Sequence, residues 1–445
     1  MNRPNILFLM SDEHRYDLAG FAGNDVIRTP TLDWLAQTGV VFDNAYTPSP
    51  ICIPGRQAMM TGKFPKHCGC EHFGQDIEPG SMTFARRLSQ YGYDSVCCGK
   101  LHHVGPDQMQ GWTQRPFGDI RLKPWAIDGL QRDQLPEGPK WKDFKWSDAK
   151  EIKRAGIGPS RYAEADKLAT ATAINHIRNH FCDVFYDRPT AYKPLLLKHS
   201  LIQPHYPYMT DQDKLEYYIN RVTPFSDEEV FGHPFLSQRE VVPGKDVNDR
   251  ELKRVTAAYY GMVETIDEHY GSVLDMLRQV GQDLDDWIII YTSDHGEMLG
   301  QHGIWEKQKF FEASVRVPLI IRYPRRFQPG RVRQNVNLCD LFATLTDLTD
   351  VPTPDDLDSR SLVALMEGNP DGWDDESVSQ FKGTNCMIKR GDLKYQWYGE
   401  DMPEVLFDLS ADPGETQNII DQPPYAEAVK RFRGRLKELG FGPGS

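Results

Sequence analysis

Short apolar runs separated by segments with helical spacing dominate the first three quarters of the chain. The runs have the length and composition of buried strands in a parallel sheet, and they cover residues 5–10, 94–99, 195–199, 287–292 and 317–322. Between them, helical periodicity and start and stop signals predict helices at residues 31–39, 81–91 and about 249–280. Because strands alternate with helices, the pattern predicts a layered α/β fold with a large, mostly parallel sheet.

The pattern changes beyond about residue 324. Residues 387–398 and 404–409 alternate like antiparallel strands, a turn is predicted at residues 412–414, and a last helix is predicted near residues 425–439. We therefore predict a large α/β domain over residues 1–325 and a small α+β subdomain over residues 326–445. Residues 118–160, rich in Trp, Lys, Asp and Pro and without a period, predict an irregular insertion over one end of the sheet.

Composition narrows the class of protein. A net charge of -13 argues against nucleic acid as the main partner, although local charge can still bind an anionic substrate. No apolar run reaches the roughly 18 residues of a membrane span, so no membrane partner is expected. The N-terminal run is too short for a signal-peptide core, which predicts a cytoplasmic protein, or a periplasmic or secreted one if a leader was removed. Eight scattered cysteines without a CxxC pair predict reduced thiols.

Chemically active side chains follow the predicted strands at the point where each strand ends. They are Asp12, Lys100 and His102, the segment from His199 to His205, Asp294 and His295. In open α/β sheets, ligands bind at the carboxyl ends of the strands, so these side chains are expected to converge. Each one alone could be a structural polar group. Together, two carboxylates, several imidazoles and a lysine suit a divalent metal ion with a bound oxyanion.

Residues 50–62 form the most informative segment. Pro54 suits the first turn of a helix and Gly62 its end, which predicts that Cys52 lies just before the helix N-terminus. Free N–H groups and the helix dipole favour an anion at that position. Arg56, one turn later, is predicted to project toward the same place.

Motifs in five places resemble those of one family. Cys52-x-Pro54-x-Arg56 with Met60-Thr61-Gly62 resembles the sulfatase signature. The further matches, in family order, are Gly99-Lys100-Leu101-His102, Pro204-His205-Tyr206-Pro207, Ser293-Asp294-His295-Gly296-Glu297 running on to Lys307, and Leu406-Phe407-Asp408-Leu409 with Asp412-Pro413-Gly414-Glu415-Thr416. The chain is therefore similar to formylglycine-dependent sulfatases of the alkaline phosphatase superfamily, choline and carbohydrate sulfatases among them.

The resemblance implies an alkaline-phosphatase-like fold and a sulfuric ester hydrolase. Its substrate would be a sulfated carbohydrate or a small alkyl or aryl sulfate. A maturation enzyme would oxidise Cys52 to formylglycine, and one hydroxyl of the hydrated aldehyde would attack sulfur and expel the alcohol. The second hydroxyl would then expel sulfate as the aldehyde re-forms.

The resemblance also implies a role for each candidate residue. The metal ligands would be Asp12, the formylglycine made from Cys52, Asp294 and His295, with Ca²⁺ as the expected ion and Mg²⁺ or Mn²⁺ as alternatives. The catalytic residues would be Cys52, Arg56 holding the diol, Lys100 and Lys307 neutralising charge on the sulfuryl group, His205 as general acid and His102 as base.

Several alternatives stay open at this point. Glu13 stands where the family usually has a second aspartate, so its contact with the metal is undecided, and His103 competes with His102, which we favour. A phosphonate monoester or phosphodiester hydrolase would use the same signature. A catalytically silent binding protein would have lost a charged site residue, and none of the principal ones is missing. The oligomeric state, including a homo-oligomer, is undetermined.

Overall fold

The computed structural model describes residues 3–119, 148–181, 193–225, 231–237 and 241–443. Its strands are β1 (Asn5–Asp12), β2 (Val40–Tyr46), β3 (Asp94–Gly99), β4 (Gln114–Phe117), β5 (Gly156–Ile157), β6 (Leu195–Pro204), β7 (Met209–Thr210), β8 (Trp287–Ser293), β9 (Arg316–Val317), β10 (Leu319–Arg322), β11 (Gly330–Asn337), β12 (Glu376–Phe381), β13 (Asn385–Arg390), β14 (Leu393–Trp397) and β15 (Val405–Asp408). Its α-helices are α1 (Pro30–Thr38), α2 (Cys52–Thr61), α3 (Pro65–Cys68), α4 (Phe84–Gln90), α5 (Asp148–Arg154), α6 (Arg161–Phe181), α7 (Gln212–Tyr218), α8 (Asp249–Gln279), α9 (Glu312–Val315), α10 (Asp340–Leu348), α11 (Val363–Met366) and α12 (Ala426–Glu438).

A nine-stranded sheet forms the centre of the molecule. Its order is β11-β2-β10-β8-β1-β6-β3-β4, with β9 paired to β2. The strands around β1 run parallel, whereas β9 and β10 run antiparallel to their neighbours. Side chains of β1 alternate between two cores: Ile6 and Phe8 pack with α2, α4 and α10, and Leu7 and Leu9 pack with α1, α6 and α8. Burial on both faces explains why these strands read as continuous apolar runs.

The structure confirms the predicted α/β fold with a mostly parallel sheet. Each of the five predicted apolar runs coincides with strands, although the run at 317–322 is divided between β9 and β10. The predicted helices correspond to α1, α4 and α8. The sequence analysis missed the long helix α6 and the strands β2, β11 and β12.

A second sheet of four antiparallel strands, in the order β12-β13-β14-β15, lies in the C-terminal region with α12 packed on it. Lys394 of β14 is buried between the carboxylates of Glu312 and Glu415, at 2.9 and 2.6 Å. This ion cluster ties the small sheet to the segment around α9. The domain boundary at 325/326 stays a prediction, and β11, which lies beyond it, pairs with β2 of the large sheet.

Much of the predicted insertion, residues 120–147, lies outside the described residues. Its later part holds α5 and β5, and β5 pairs with β7. Within the described ranges, no helix combines the length and the apolar character required to cross a bilayer. The seven cysteines in the described part of the chain form no disulfide.

Candidate active site

Two neighbouring parallel strands deliver two carboxylates to the same edge of the large sheet. Ser11 of β1 lies beside Ser293 of β8. The residues that follow these two serines, Asp12 and Asp294, therefore lie side by side. Both carboxylates are fully buried. Lys100 follows β3, and His205 follows β6, at the same edge. The strand-end prediction therefore places these residues together.

Cys52 enters this edge on helix α2. The helix begins at Cys52 itself, after an extended Ile51, and ends at Gly62, whose φ of 66° is left-handed. The sequence prediction that Cys52 precedes the helix is thus wrong by one residue, because the extended N-cap position falls on Ile51. The Cys52 side chain still lies in the first turn, where main-chain N–H groups have no partner within the helix.

The side chains of Asp12, Cys52, Asp294 and His295 form one buried group. One ligand atom from each lies within 4.8 Å of the others. The Nδ1 atom of His295 donates to the carbonyl of Gly296 at 3.0 Å, so Nε2 carries the lone pair and lies 3.1 Å from Cys52 Sγ. Two carboxylates and an imidazole held in this tautomer fit a divalent metal ion.

The guanidinium group of Arg56 bridges the carboxylates of Asp12 and Asp294. Its Nε donates to Asp294 at 2.7 Å and one terminal nitrogen donates to Asp12 at 2.9 Å. The other terminal nitrogen donates to the carbonyl of Lys100 and to Ser200 Oγ. These contacts orient both carboxylates, and the role of Arg56 in holding the diol stays a prediction.

A lysine contacts each end of the site. Lys100 Nζ lies 2.5 Å from Asp12, and Lys307 Nζ lies 2.7 Å from Glu13. Burial raises the pKa of Asp12, but Lys100 and Arg56 outweigh it and hold the pKa well below its usual value. Asp12 is therefore ionised at neutral pH and available to a cation.

Glu13, whose role the sequence left open, contacts Lys307 and His205. The distance from its carboxylate to His205 Nε2 is 3.3 Å, and the same nitrogen lies 3.3 Å from Lys307 Nζ. The His205 Nδ1 atom donates to the carbonyl of Tyr206 at 2.7 Å, which fixes the ring. Glu13, His205 and Lys307 thus form a second polar group beside the first.

The two adjacent histidines after β3 have different surroundings. The ring of His102 meets Phe73, a residue of the pocket wall, edge-on at 5.5 Å, whereas His103 Nδ1 donates to the carbonyl of Gln108. Burial lowers the pKa of His103 well below its usual value. These contacts favour His102 as the histidine nearer the substrate. His199 lies inside β6 rather than at its end, and its Nε2 bonds Thr170 on α6, away from the site.

A cavity of about 400 Å³ opens above Cys52. Its lining combines predicted site residues with others, and the full set is Ile51, Cys52, His72, Phe73, His205, Tyr206, Glu306, Lys307, Gln308, Phe381 and Lys382. Sequence reasoning missed His72, Phe73 and Lys382 as lining residues. Tyr206 lies inside the predicted 204–207 motif, but Lys382 is in a turn between β12 and β13 that carries no sequence signal of a site.

Cys52 as it stands is a weak nucleophile. Burial, with the nearby charge of Asp12, raises the pKa of its thiol to about 12. A thiol with this pKa is protonated at neutral pH, and only the thiolate is reactive. The surroundings of Cys52 therefore fit a residue that is chemically modified before it reacts better than a thiolate that attacks the substrate directly.

Known proteins support this interpretation of the fold and site. The sulfatase family model matches residues 4–351, and the model of the N-sulphoglucosamine sulphohydrolase C-terminal region matches residues 300–441. The chain is 30% identical to an arylsulfatase of Clostridium perfringens, over 98% of this chain and 94% of that protein. It is also 30% identical to a choline-sulfatase of Rhizobium meliloti, over 95% of this chain and 83% of that protein.

The fold has solved counterparts as well. The phosphonate monoester hydrolase of Agrobacterium radiobacter superposes with a TM-score of 0.79 at 22% identity, covering 98% of this chain and 95% of that one. This superposition shows the alkaline-phosphatase-like fold that the sequence predicts. The chain belongs to the sulfatase family and is a sulfuric ester hydrolase. Family membership implies a metal ion and a formylglycine.

Proposed function

We propose that this protein hydrolyses a sulfate ester of a carbohydrate, with Cys52 converted to formylglycine. The observation that carries the proposal is the buried convergence of Asp12, Cys52, Asp294 and His295 beneath a single cavity. Sulfate esters need a nucleophile beside a cation, and these four positions provide both.

Asp12, Asp294, His295 and the modified residue 52 would hold the metal, and oxygen-rich ligation favours Ca²⁺. When present, the metal and the aldehyde hydrate supply an ionised hydroxyl nucleophile and a positive charge next to the sulfuryl oxygens. Arg56 orients both carboxylates through its bonds to each of them. Removing this arginine would leave two buried carboxylates without their partner.

Lys100, paired with Asp12, and Lys307, paired with Glu13, would neutralise charge on the sulfuryl group. His205 would give a proton to the leaving alcohol from Nε2, the nitrogen that lies beside Lys307 and Glu13. Glu13 would hold Lys307 and His205 in position rather than bind the metal. His102 would accept the proton that the residue 52 hydroxyl releases when sulfate departs.

The cavity above Cys52 suits a sugar ring. Phe73, Tyr206 and Phe381 offer ring faces, and Glu306 and Gln308 offer polar groups for hydroxyls. The match to the N-sulphoglucosamine sulphohydrolase C-terminal model supports a sulfated saccharide. Because one relative is a choline-sulfatase, a small alkyl sulfate is also tested as a substrate. The formylglycine-generating enzyme of the host stays the predicted maturation partner.

The test compares mature protein with Cys52→Ala and Cys386→Ala. Cys386 is a buried thiol in β13, far along the chain from the signature, so its variant controls for the loss of a cysteine. We expect Cys52→Ala to lose turnover of sulfated monosaccharides, choline sulfate and an aryl sulfate while keeping its circular dichroism spectrum, and Cys386→Ala to stay active. Intact-protein mass spectrometry should find sulfur replaced by oxygen, with loss of two hydrogens, at Cys52.

Near-normal turnover by Cys52→Ala would refute the assigned nucleophile. A preference of about a hundredfold or more in kcat/KM for phosphodiesters over sulfate esters would instead identify a phosphodiester hydrolase. Elemental analysis of the purified protein identifies the metal.

A further inference from the structure

Helix α6 carries a pair of histidines away from the active site. His176 and His180 are four residues apart and therefore share one face of the helix, with ring centroids 6.0 Å apart. Asp94, the first residue of β3, lies opposite them. One ligand atom from each of the three lies within 4.8 Å of the others.

Two of these side chains, His176 and Asp94, each have an atom that could bind a metal ion. The Nε2 atom of His176 is shielded from solvent and has no hydrogen-bond partner among the residues that the structure describes. Thr113 Oγ1 donates to Asp94 Oδ1 at 2.8 Å, whereas the Gln114 amide makes a longer contact of 3.4 Å to Oδ2. A carboxylate fixed through one oxygen leaves the other oxygen for a metal.

We propose that Asp94, His176 and His180 bind a zinc ion, with water as the fourth ligand. Two imidazole nitrogens and one carboxylate oxygen are a common zinc ligand set, and the i, i+4 histidine pair is the usual way in which a helix offers two of them. Ca²⁺ and Mg²⁺ prefer oxygen ligands, and nitrogen atoms outnumber oxygen in this set, whereas the active-site set has a single imidazole. The two divalent sites of this protein would therefore differ in the ion that they select.

The proposed zinc site lies away from the active site. Asp94 and Lys100 stand at opposite ends of β3, so the two sites are about 20 Å apart at the usual rise of ~3.3 Å per strand residue. Zinc would fasten the C-terminal end of α6 to the start of β3. The ion is structural, and the inference does not depend on the proposed hydrolytic function.

The experiment titrates zinc into protein whose catalytic site is already loaded with Ca²⁺. The wild-type protein is compared with the double variant His176→Ala/His180→Ala and with His67→Ala, a surface imidazole that pairs with Asp358 alone. We expect the wild type and His67→Ala to bind one zinc equivalent more than the double variant. Zinc should also raise their Tm by ~2 °C or more, with little change in the double variant. Cobalt(II) in place of zinc should give the visible absorption bands of a tetrahedral site.

Sulfatase activity of the double variant should equal that of the wild type, which separates this inference from the proposed function. Asp94→Asn keeps the Thr113 hydrogen bond and both imidazoles, and should weaken zinc binding about tenfold or more. Equal zinc stoichiometry in the wild type and the double variant, or unchanged affinity in Asp94→Asn, would overturn the proposal. If the double variant does not fold, Asp94→Asn decides the question.

Discussion

Buried ionisable side chains take their protonation states from their surroundings. Asp12 stays ionised because Lys100 and Arg56 outweigh the cost of burial. Asp166, equally buried, accepts the main-chain N–H groups of Ile202 and Gln203, and burial raises its pKa to about 7. Charged partners therefore distinguish the carboxylate that can bind a cation from the one that shapes a turn.

His199 gives this principle a measurable consequence. Burial lowers its pKa to about 3, against about 6.5 in an unfolded chain. Between these values the unfolded chain binds a proton that the folded protein does not, so stability falls as the pH is lowered from about 6.5 toward 3. We predict that His199→Gln makes the slope of unfolding free energy against pH shallower by ~1.4 kcal/mol per unit between about pH 6 and 4. Urea unfolding at several pH values measures it.

Thr170→Val is the matched control, because it removes the hydrogen bond to His199 but keeps the imidazole. It should lower stability at every pH and leave the slope as in the wild type. An unchanged slope in His199→Gln would mean that the folded protein already accepts the proton.

At the scale of an element, strand β3 positions Lys100 through a glycine. Gly99 has a φ of 104°, and a Cβ built on it would lie 2.0 Å from the carbonyl oxygen of Ser200 on β6. The same carbonyl accepts the N–H of Lys100 at 2.8 Å. A side chain at position 99 would separate the two strands where they deliver the lysine.

Gly99→Ala is therefore predicted to damage both stability and catalysis. Gly92 is the control, because its φ of 96° is similar but no atom lies within 4 Å of its would-be Cβ. Gly92→Ala should cost about 1–2 kcal/mol from its backbone conformation, and Gly99→Ala at least ~2 kcal/mol more from the clash. The kcat of Gly99→Ala should also fall about 10- to 100-fold as Lys100 shifts. Equal unfolding free energies for the two variants would show that the neighbouring strand gives way freely.

The elements that sequence reasoning predicted are those whose apolar residues reveal their burial. The runs of β1, β6 and β8 are apolar because both faces of these strands are covered. Helix α6 was not predicted because it packs through small residues, Ala165, Ala169 and Ala173, which give a weak periodic hydrophobic signal. Strand β11 was not predicted because it is an edge strand whose first residues include arginines rather than an apolar run.

The same limit applies to the site. Carboxylates at strand ends were predictable, since parallel strands bring Asp12 and Asp294 to one edge. The partners of Arg56 and Glu13 depend on side-chain packing among distant segments, which no spacing along the chain reveals.

At the scale of the whole molecule, the C-terminal sheet completes the pocket. The buried cluster of Lys394, Glu312 and Glu415 anchors this sheet beside the segment that carries Lys307. The turn between β12 and β13 then brings Phe381 and Lys382 to the cavity wall. The cavity wall thus includes a part of the chain that carries none of the four side chains grouped around Cys52.

Lys382 is predicted to bind substrate without taking part in the chemistry. Its side chain is exposed at the cavity mouth, near the Phe381 ring, whereas Lys100 and Lys307 are buried beside the carboxylates. A cation in this position attracts an anionic ester equally in the ground state and the transition state, so Lys382→Ala should raise KM about 3- to 10-fold and leave kcat within about twofold. The increase should shrink as salt screens the charge. Lys430→Ala, an exposed lysine on α12 outside the cavity lining, should leave both constants unchanged. A fall in kcat with unchanged KM would instead place Lys382 at the reacting group, and the cavity would then have to close around the substrate before turnover.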